Sequence, residues 1–227
     1  MTGYRASAAL ALWLSAALAG CSGGPQDSAP GAGGQQFAGL ERVLGRDPPP
    51  TLIVMEQDGT PPERLAAELP VREARALLLR EGRNGAVTTW RTLDAATLAL
   101  RDPGVLVATR GLGDDLHIAD AQATADALTA GRGGAVARAH LRLGGDQRLV
   151  RTEYACTLTA AGRETVTLDQ QTRTALRFDE SCTPADGGPG TGFTNSYWRD
   201  PAGRTLWRSR QWIGAELGHI DLRQMPD

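Results

Sequence analysis

Turn signals interrupt β-rich runs at short, regular intervals along most of this chain, and that rhythm limits what it can fold into. Asn84-Gly85 carries one of the strongest hairpin signatures. Arg101-Asp102-Pro103-Gly104, Gly144-Gly145-Asp146, Ala160-Ala161-Gly162 and Asp200-Pro201-Ala202-Gly203 are further turn sequences. Between them lie expected strands at Arg75–Arg80, Ala86–Thr92, Thr97–Leu100, Val105–Thr109 and Val136–Leu143. Others follow at Arg148–Thr159, Glu164–Asp169, Arg173–Cys182, Phe193–Arg199, Arg204–Ile213 and His219–Arg223. The clearest alternation puts Leu149, Arg151, Glu153 and Ala155 on one face and Val150, Thr152, Tyr154 and Cys156 on the other. The pattern predicts a mainly β fold: an antiparallel meander sheet curled into an open or closed barrel, with a few short helices. The best helix is Asp120–Ala130, capped by Asp120 and ended by Gly131. Shorter helices are expected at Ala38–Gly45 and Pro62–Leu69, and a strand at Thr51–Gln57.

The N-terminus has a different character. Arg5 precedes an apolar run from Ala6 to Leu18, and Leu18-Ala19-Gly20-Cys21 closes it. A charged start, a short apolar stretch and small residues before the cut describe a secretory signal. The cysteine directly after them is the pattern of bacterial lipoprotein signals, in which it is lipidated and becomes the new N-terminus. The run is too short for a permanent membrane span. Residues 22–36 are Gly, Ser, Pro, Gln and Ala with one acid, Asp27, and read as a solvated tether. The expected organisation is a signal peptide over 1–20, a lipidated Cys21 and tether over 21–36, and one β domain over 37–227. Ser22, where aspartate commonly retains a lipoprotein in the inner membrane, favours the outer membrane of a Gram-negative cell, with the domain facing the periplasm.

The basic residues are all arginine, and the net charge of −2 argues against a nucleic-acid partner. With Cys21 lipidated, Cys156 and Cys182 remain as a pair in an oxidising compartment, where a disulfide is the expectation. A metal or redox pair is the rival, without CxxC spacing or an adjacent histidine.

Two segments are distinctive. One is Ala108-Thr109-Arg110-Gly111-Leu112-Gly113-Asp114-Asp115-Leu116. The other is Phe193-Thr194-Asn195-Ser196-Tyr197-Trp198, followed by Gly203-Arg204-Thr205-Leu206-Trp207-Arg208-Ser209-Arg210-Gln211-Trp212-Ile213-Gly214. With the lipobox, Trp90 and the Tyr154 to Cys182 segment, they resemble the YjbF/GfcB family of group 4 capsule polysaccharide lipoproteins. The resemblance covers most of the mature chain. It implies an outer-membrane lipoprotein of exopolysaccharide or capsule secretion, β-rich and without established catalytic residues.

Read on their own chemistry, Trp198, Trp207 and Trp212 are first of all packing residues. The functional alternative is a platform for sugar rings, with Asn195, Arg208, Arg210 and Gln211 bonding hydroxyls or acidic sugars. Asp114 and Asp115 beside His117 and Asp120 lack the spacing of a calcium loop and read as a tight turn with solvated acids. His117, His140 and His219 stand apart, and no nucleophile elbow, zinc-protease helix or phosphate loop occurs. No catalytic residue, metal or cofactor is therefore expected. The expected partners are the membrane through acyl chains, polysaccharide, and an outer-membrane β-barrel export protein. The alternatives are a periplasmic polysaccharide-modifying enzyme and a carrier of an apolar ligand inside a β cavity.

Overall fold

The computed structural model describes residues 63–187, 190–203 and 205–225. The signal segment, Cys21, the tether, and the elements expected at Ala38–Gly45 and Thr51–Gln57 lie outside the described residues. Twelve strands form one antiparallel sheet: β1 (Arg64–Leu69), β2 (Ala74–Asn84), β3 (Val87–Arg91), β4 (Thr97–Arg101), β5 (Val105–Arg110) and β6 (Leu116–Asp120), then β7 (Gly134–Leu143), β8 (Leu149–Leu168), β9 (Gln171–Pro184), β10 (Phe193–Arg199), β11 (Leu206–Gly214) and β12 (Gly218–Met225). Helix α1 (Gln122–Ala130) links β6 to β7. The strand order is β5-β4-β3-β2-β1-β12-β11-β10-β9-β8-β7-β6. Every neighbouring pair except β1–β12 is also consecutive in the chain, so the sheet is two meanders joined where its first and last strands meet.

The edges of that sheet, β5 and β6, are joined by residues 111–115, and side chains hold the seam between them. Arg110 donates from Nη1 and Nη2 to the carbonyls of Leu116 and His117, at 3.4 and 3.1 Å. The Leu116 amide donates to the Thr109 hydroxyl at 3.0 Å. Inside, Gln211 accepts from the Leu106 amide and donates to the Gly104 carbonyl, at 2.8 and 2.9 Å, and Arg138 Nη2 donates to the Leu106 carbonyl at 3.3 Å. These bonds satisfy edge groups that otherwise invite pairing with another chain. The result is a nearly closed barrel.

Its interior is filled. One buried cluster comes mainly from β1 to β5 and β12, with Leu65, Leu78, Trp90, Leu98, Ile213 and Leu222 among its members. A second joins α1 to β7–β10 through Leu128, Leu158, Phe178, Phe193 and Tyr197. A barrel of eight strands is filled by side chains alone. Here α1 takes up part of the wider bore, burying Thr124, Ala125, Ala127 and Leu128. Arg199 fixes the end of α1 by donating to the Thr129 carbonyl at 3.0 Å. At the opposite end Leu112 and Leu217 are buried, and Arg142 reaches from β7 to the carbonyls of Ile213 and Asp114. The void lined by Ala67, Leu98 and Ile220 is about 20 Å³, room for about one water molecule.

The structure differs from the expected elements at several places. Within the helix expected at Pro62–Leu69, residues 64–69 are strand β1. Leu65, Ala67 and Leu69 are buried at period two, and the strand pairs with both β2 and β12. The leucines at 65 and 69 also suit a helical face, but two flanking ladders decide the outcome. The turn at Ala160-Ala161-Gly162 is a β-bulge inside the continuous strand β8, with Gly162 at φ 104°. A positive-φ glycine serves either feature. Strand β6, unassigned in the sequence reading, pairs with β7 around a bulge between Leu116 and Ile118. Helix α1 begins two residues later than expected, and Asp120 ends β6 with its carboxylate 3.5 Å from the Gln122 amide. The Asn84-Gly85 hairpin forms, with Gly85 and Ala86 as its loop.

Candidate functional site

The most polar cluster lies in the bore. Alternation on β7 turns Val136, Arg138 and His140 inward, and on β9 it turns Phe178, Glu180 and Cys182 inward. Arg138 and Glu180 are fully buried and paired, with Nη1 3.1 Å from Oε2. Glu180 also accepts from Asn195 Nδ2 and the Tyr197 hydroxyl, each at 2.7 Å, and from the Thr124 hydroxyl. Arg138 Nε donates to His140 Nε2 at 2.9 Å, so that nitrogen carries no proton. Burial alone would raise the Glu180 carboxyl, but the Arg138 charge and these donors outweigh it and hold it below the usual range. Burial, with the charges of Arg138 and Arg142, pushes His140 down to about 2. Burial and Glu180 push the Tyr197 phenol well up.

The cluster is a satisfied, buried ion pair. Its charge is neutralised, its hydrogen bonds are made within the protein, and its members have no exposed face. Cys156 and Cys182 sit opposite each other on β8 and β9, Cα–Cα 4.1 Å, and form a disulfide. Their sulfurs and a Glu180 oxygen lie within 4.8 Å of one another. Bridged sulfurs are not thiolates and offer a metal no strong ligand.

Asn195 and Gln211 belong to this interior and not to a sugar-binding surface. Both are fully buried. Asn195 Oδ1 accepts from the Trp212 amide at 2.7 Å while its Nδ2 serves Glu180, and Gln211 is committed to β5 and Ser209. Trp212 is half-buried, stacked on Phe193 at 5.9 Å and edge-on to His219 at 5.1 Å. The Asp114–Asp115 turn forms, but its acids are engaged and not merely solvated. Asp115 accepts from Thr109 and from the amides of Gly111 and Leu112, at 2.8 to 3.1 Å. Asp114 pairs with Arg142. His117 and Asp120 are not drawn into a shared cluster with them.

Trp198, Trp207, Arg208 and Arg210 meet on the outer face of β10–β11. The bulge at Gly162 reverses the alternation of β8, so Val166 and Leu168 turn outward and pack with Ala175, Trp198 and Trp207. Trp198 is buried and donates from its indole to Glu164 at 2.7 Å. That bond, with Arg177, lowers the Glu164 carboxyl. Arg177 and Arg208 lie over its ring at 5.3 and 4.6 Å, so its faces are covered by the protein's own guanidinium groups. Trp207 is half-buried beneath Arg173 at 5.4 Å. Arg210 is paired with Asp221 at 2.9 Å.

Sequence reasoning passed over Arg138, Glu180, Tyr197 and Thr124 inside, and Arg173, Arg177 and Arg223 outside. The signal for the first two was present: a charge in phase with inward residues of an alternating strand, as in Phe178, Glu180 and Cys182.

A filled, nearly closed antiparallel barrel, with a neutralised polar centre and an aromatic–arginine strip outside, defines the class of domain. A family model described as group 4 capsule polysaccharide lipoprotein gfcB, YjbF matches residues 43–225, and the chain belongs to that family. The family is one of lipoproteins, which places the chain at a membrane of the cell envelope. The crystal structure of the hypothetical lipoprotein YmcC from Escherichia coli (K12) is similar, with a TM-score of 0.64 and 20% identity, covering 78% of this chain and 90% of that one. At that identity the likeness is one of fold. No curated protein matches.

Proposed function

We propose that this protein is a non-enzymatic accessory lipoprotein of capsule or exopolysaccharide secretion, anchored in the outer membrane by acyl chains on Cys21 and facing the periplasm. Membership of the polysaccharide lipoprotein family over residues 43–225 is the observation that carries this reading. The interior supports it: the buried acid, histidine and phenol at the centre are spent on one another, and a general acid or base must reach its substrate. The work then falls to the outer surface, against polysaccharide, an export barrel, or both. The test is deletion of the gene and complementation with the intact chain. Loss or shortening of surface polysaccharide, restored by the intact chain, is expected. Unchanged amount, length and retention would sink the reading. Turnover of capsule by the purified protein would replace it with an enzymatic one.

A further inference from the structure

Two cross-strand rows on the outer face of β9–β12 treat charge differently. In the first, Asp179, Ser196, Arg210 and Asp221 stand side by side, and the row continues to Glu68 and Arg75. Its charges are matched: Ser196 bonds Asp179, Arg210 pairs with Asp221, and Arg75 with Glu68. In the second row, two residues along, stand Arg177, Trp198, Arg208 and Arg223. Arg208 and Arg223 are exposed and directly opposite each other. Like charges so placed destabilise a sheet. Among the described residues no carboxylate forms an ion pair with either, or with Arg173 nearby. Glu164, the acid whose field reaches Arg208, is already bonded to Trp198 and Arg177.

The aromatic rings hold these cations in a useful form. Arg208 lies over Trp198 and Arg173 over Trp207. Stacking fixes a guanidinium plane and leaves in-plane N–H donors for a carboxylate fork. We infer that Arg173, Arg208 and Arg223, with the half-exposed Trp207, form a binding strip for an acidic polysaccharide, resting on the polysaccharide reading above. The carboxylates accept from the arginines, and the sugar lies along the exposed edge of Trp207, whose face is already under Arg173. Arg208 and Arg223, facing each other across one strand spacing of about 4.8 Å, suit neighbouring carboxylates of a polymer. A lipid surface is the poorer occupant, because the large exposed aliphatic residues (Val71, Leu93, Ile118, Leu143, Leu149 and Val150) lie elsewhere.

The test is calorimetric titration of the mature chain carrying Cys21→Ser, so that no acyl chain enters a bilayer, with polygalacturonate, with dextran and phosphatidylglycerol vesicles beside it. Binding of polygalacturonate, weakened by salt, and no binding of dextran are expected. Arg208→Gln with Arg223→Gln lowers affinity roughly tenfold without lowering the melting temperature, the sum of two exposed ion pairs. Arg208→Lys, which keeps charge and loses the fork, falls between. No binding of polygalacturonate, equal binding of dextran, an unchanged affinity in the double variant, or binding of vesicles alone would each overturn the strip. In cells, deletion that abolishes surface polysaccharide while the double variant restores it fully would overturn the strip and leave the accessory role standing.

Discussion

Arg138 and Glu180 show how a single position sets the polarity of a core. A buried ion pair adds little against apolar residues of the same shape, but removing one partner strands the other. Glu180→Gln keeps the shape and leaves the Arg138 guanidinium without its counter-charge. A loss of about 3–5 kcal/mol in denaturant unfolding is expected; a loss under 1 kcal/mol would mean the pair is not sealed from water. His140 gives a pH dependence of known sign. Its folded value of about 2 lies below the unfolded 6.5, so between those limits the unfolded chain binds the extra proton. Stability therefore falls as pH drops through that window, with a limiting slope of about 1.4 kcal/mol per pH unit. His140→Gln retains an acceptor for Arg138 Nε and should flatten the melting temperature between pH 6.5 and 5, above the carboxylate range. An unchanged slope would place its origin in another group.

At the scale of elements, β8 and β9 carry the departure from a simple meander. The hairpin is long because Gly162 lets the ladder continue through a bulge where the sequence looks like a turn. Beyond the bulge the same alternation buries Val166 and Leu168 outside the barrel, where they support Trp198 and Trp207. Cys156 and Cys182 tie the two strands within the barrel wall, and the closed loop of 26 residues is worth about 3.5 kcal/mol in the chain-entropy model. Cys156→Ser should lower the melting temperature under oxidising conditions and remove its response to reductant. A response that survives in the variant would argue against this bridge. The hairpins after Gly192 were legible because alternation and turn chemistry agree there, as in Phe193–Arg199 and its return. β1 was misread because six residues with leucines four apart satisfy both periods, and only the ladders on either side choose between them. The surface strip was half legible: Trp207 and Arg208 stand in one motif. Arg173 and Arg223 join them through the bulge and the β11–β12 register, which no local pattern encodes.

For the whole molecule, the question is what holds the domain at a membrane. The outer face of β1, β2 and β9–β12 is not built for it. A lipid-facing barrel needs an outward apolar band, and the outer rows here carry Glu68, Arg75, Asp179, Arg208, Arg210, Asp221 and Arg223. Among the described residues no helix is long and apolar enough to cross. Under the proposed anchoring, attachment is by lipid on Cys21, where each buried methylene contributes about 0.8 kcal/mol and two or more chains anchor stably. Cys21→Ser removes the acceptor without touching the barrel. The variant should move to the soluble fraction of the envelope while its thermal unfolding matches that of the delipidated domain. Membrane retention in high salt would mean that a protein partner or another segment provides the anchor. Release into high salt alone would point instead to a charged surface such as the arginine strip.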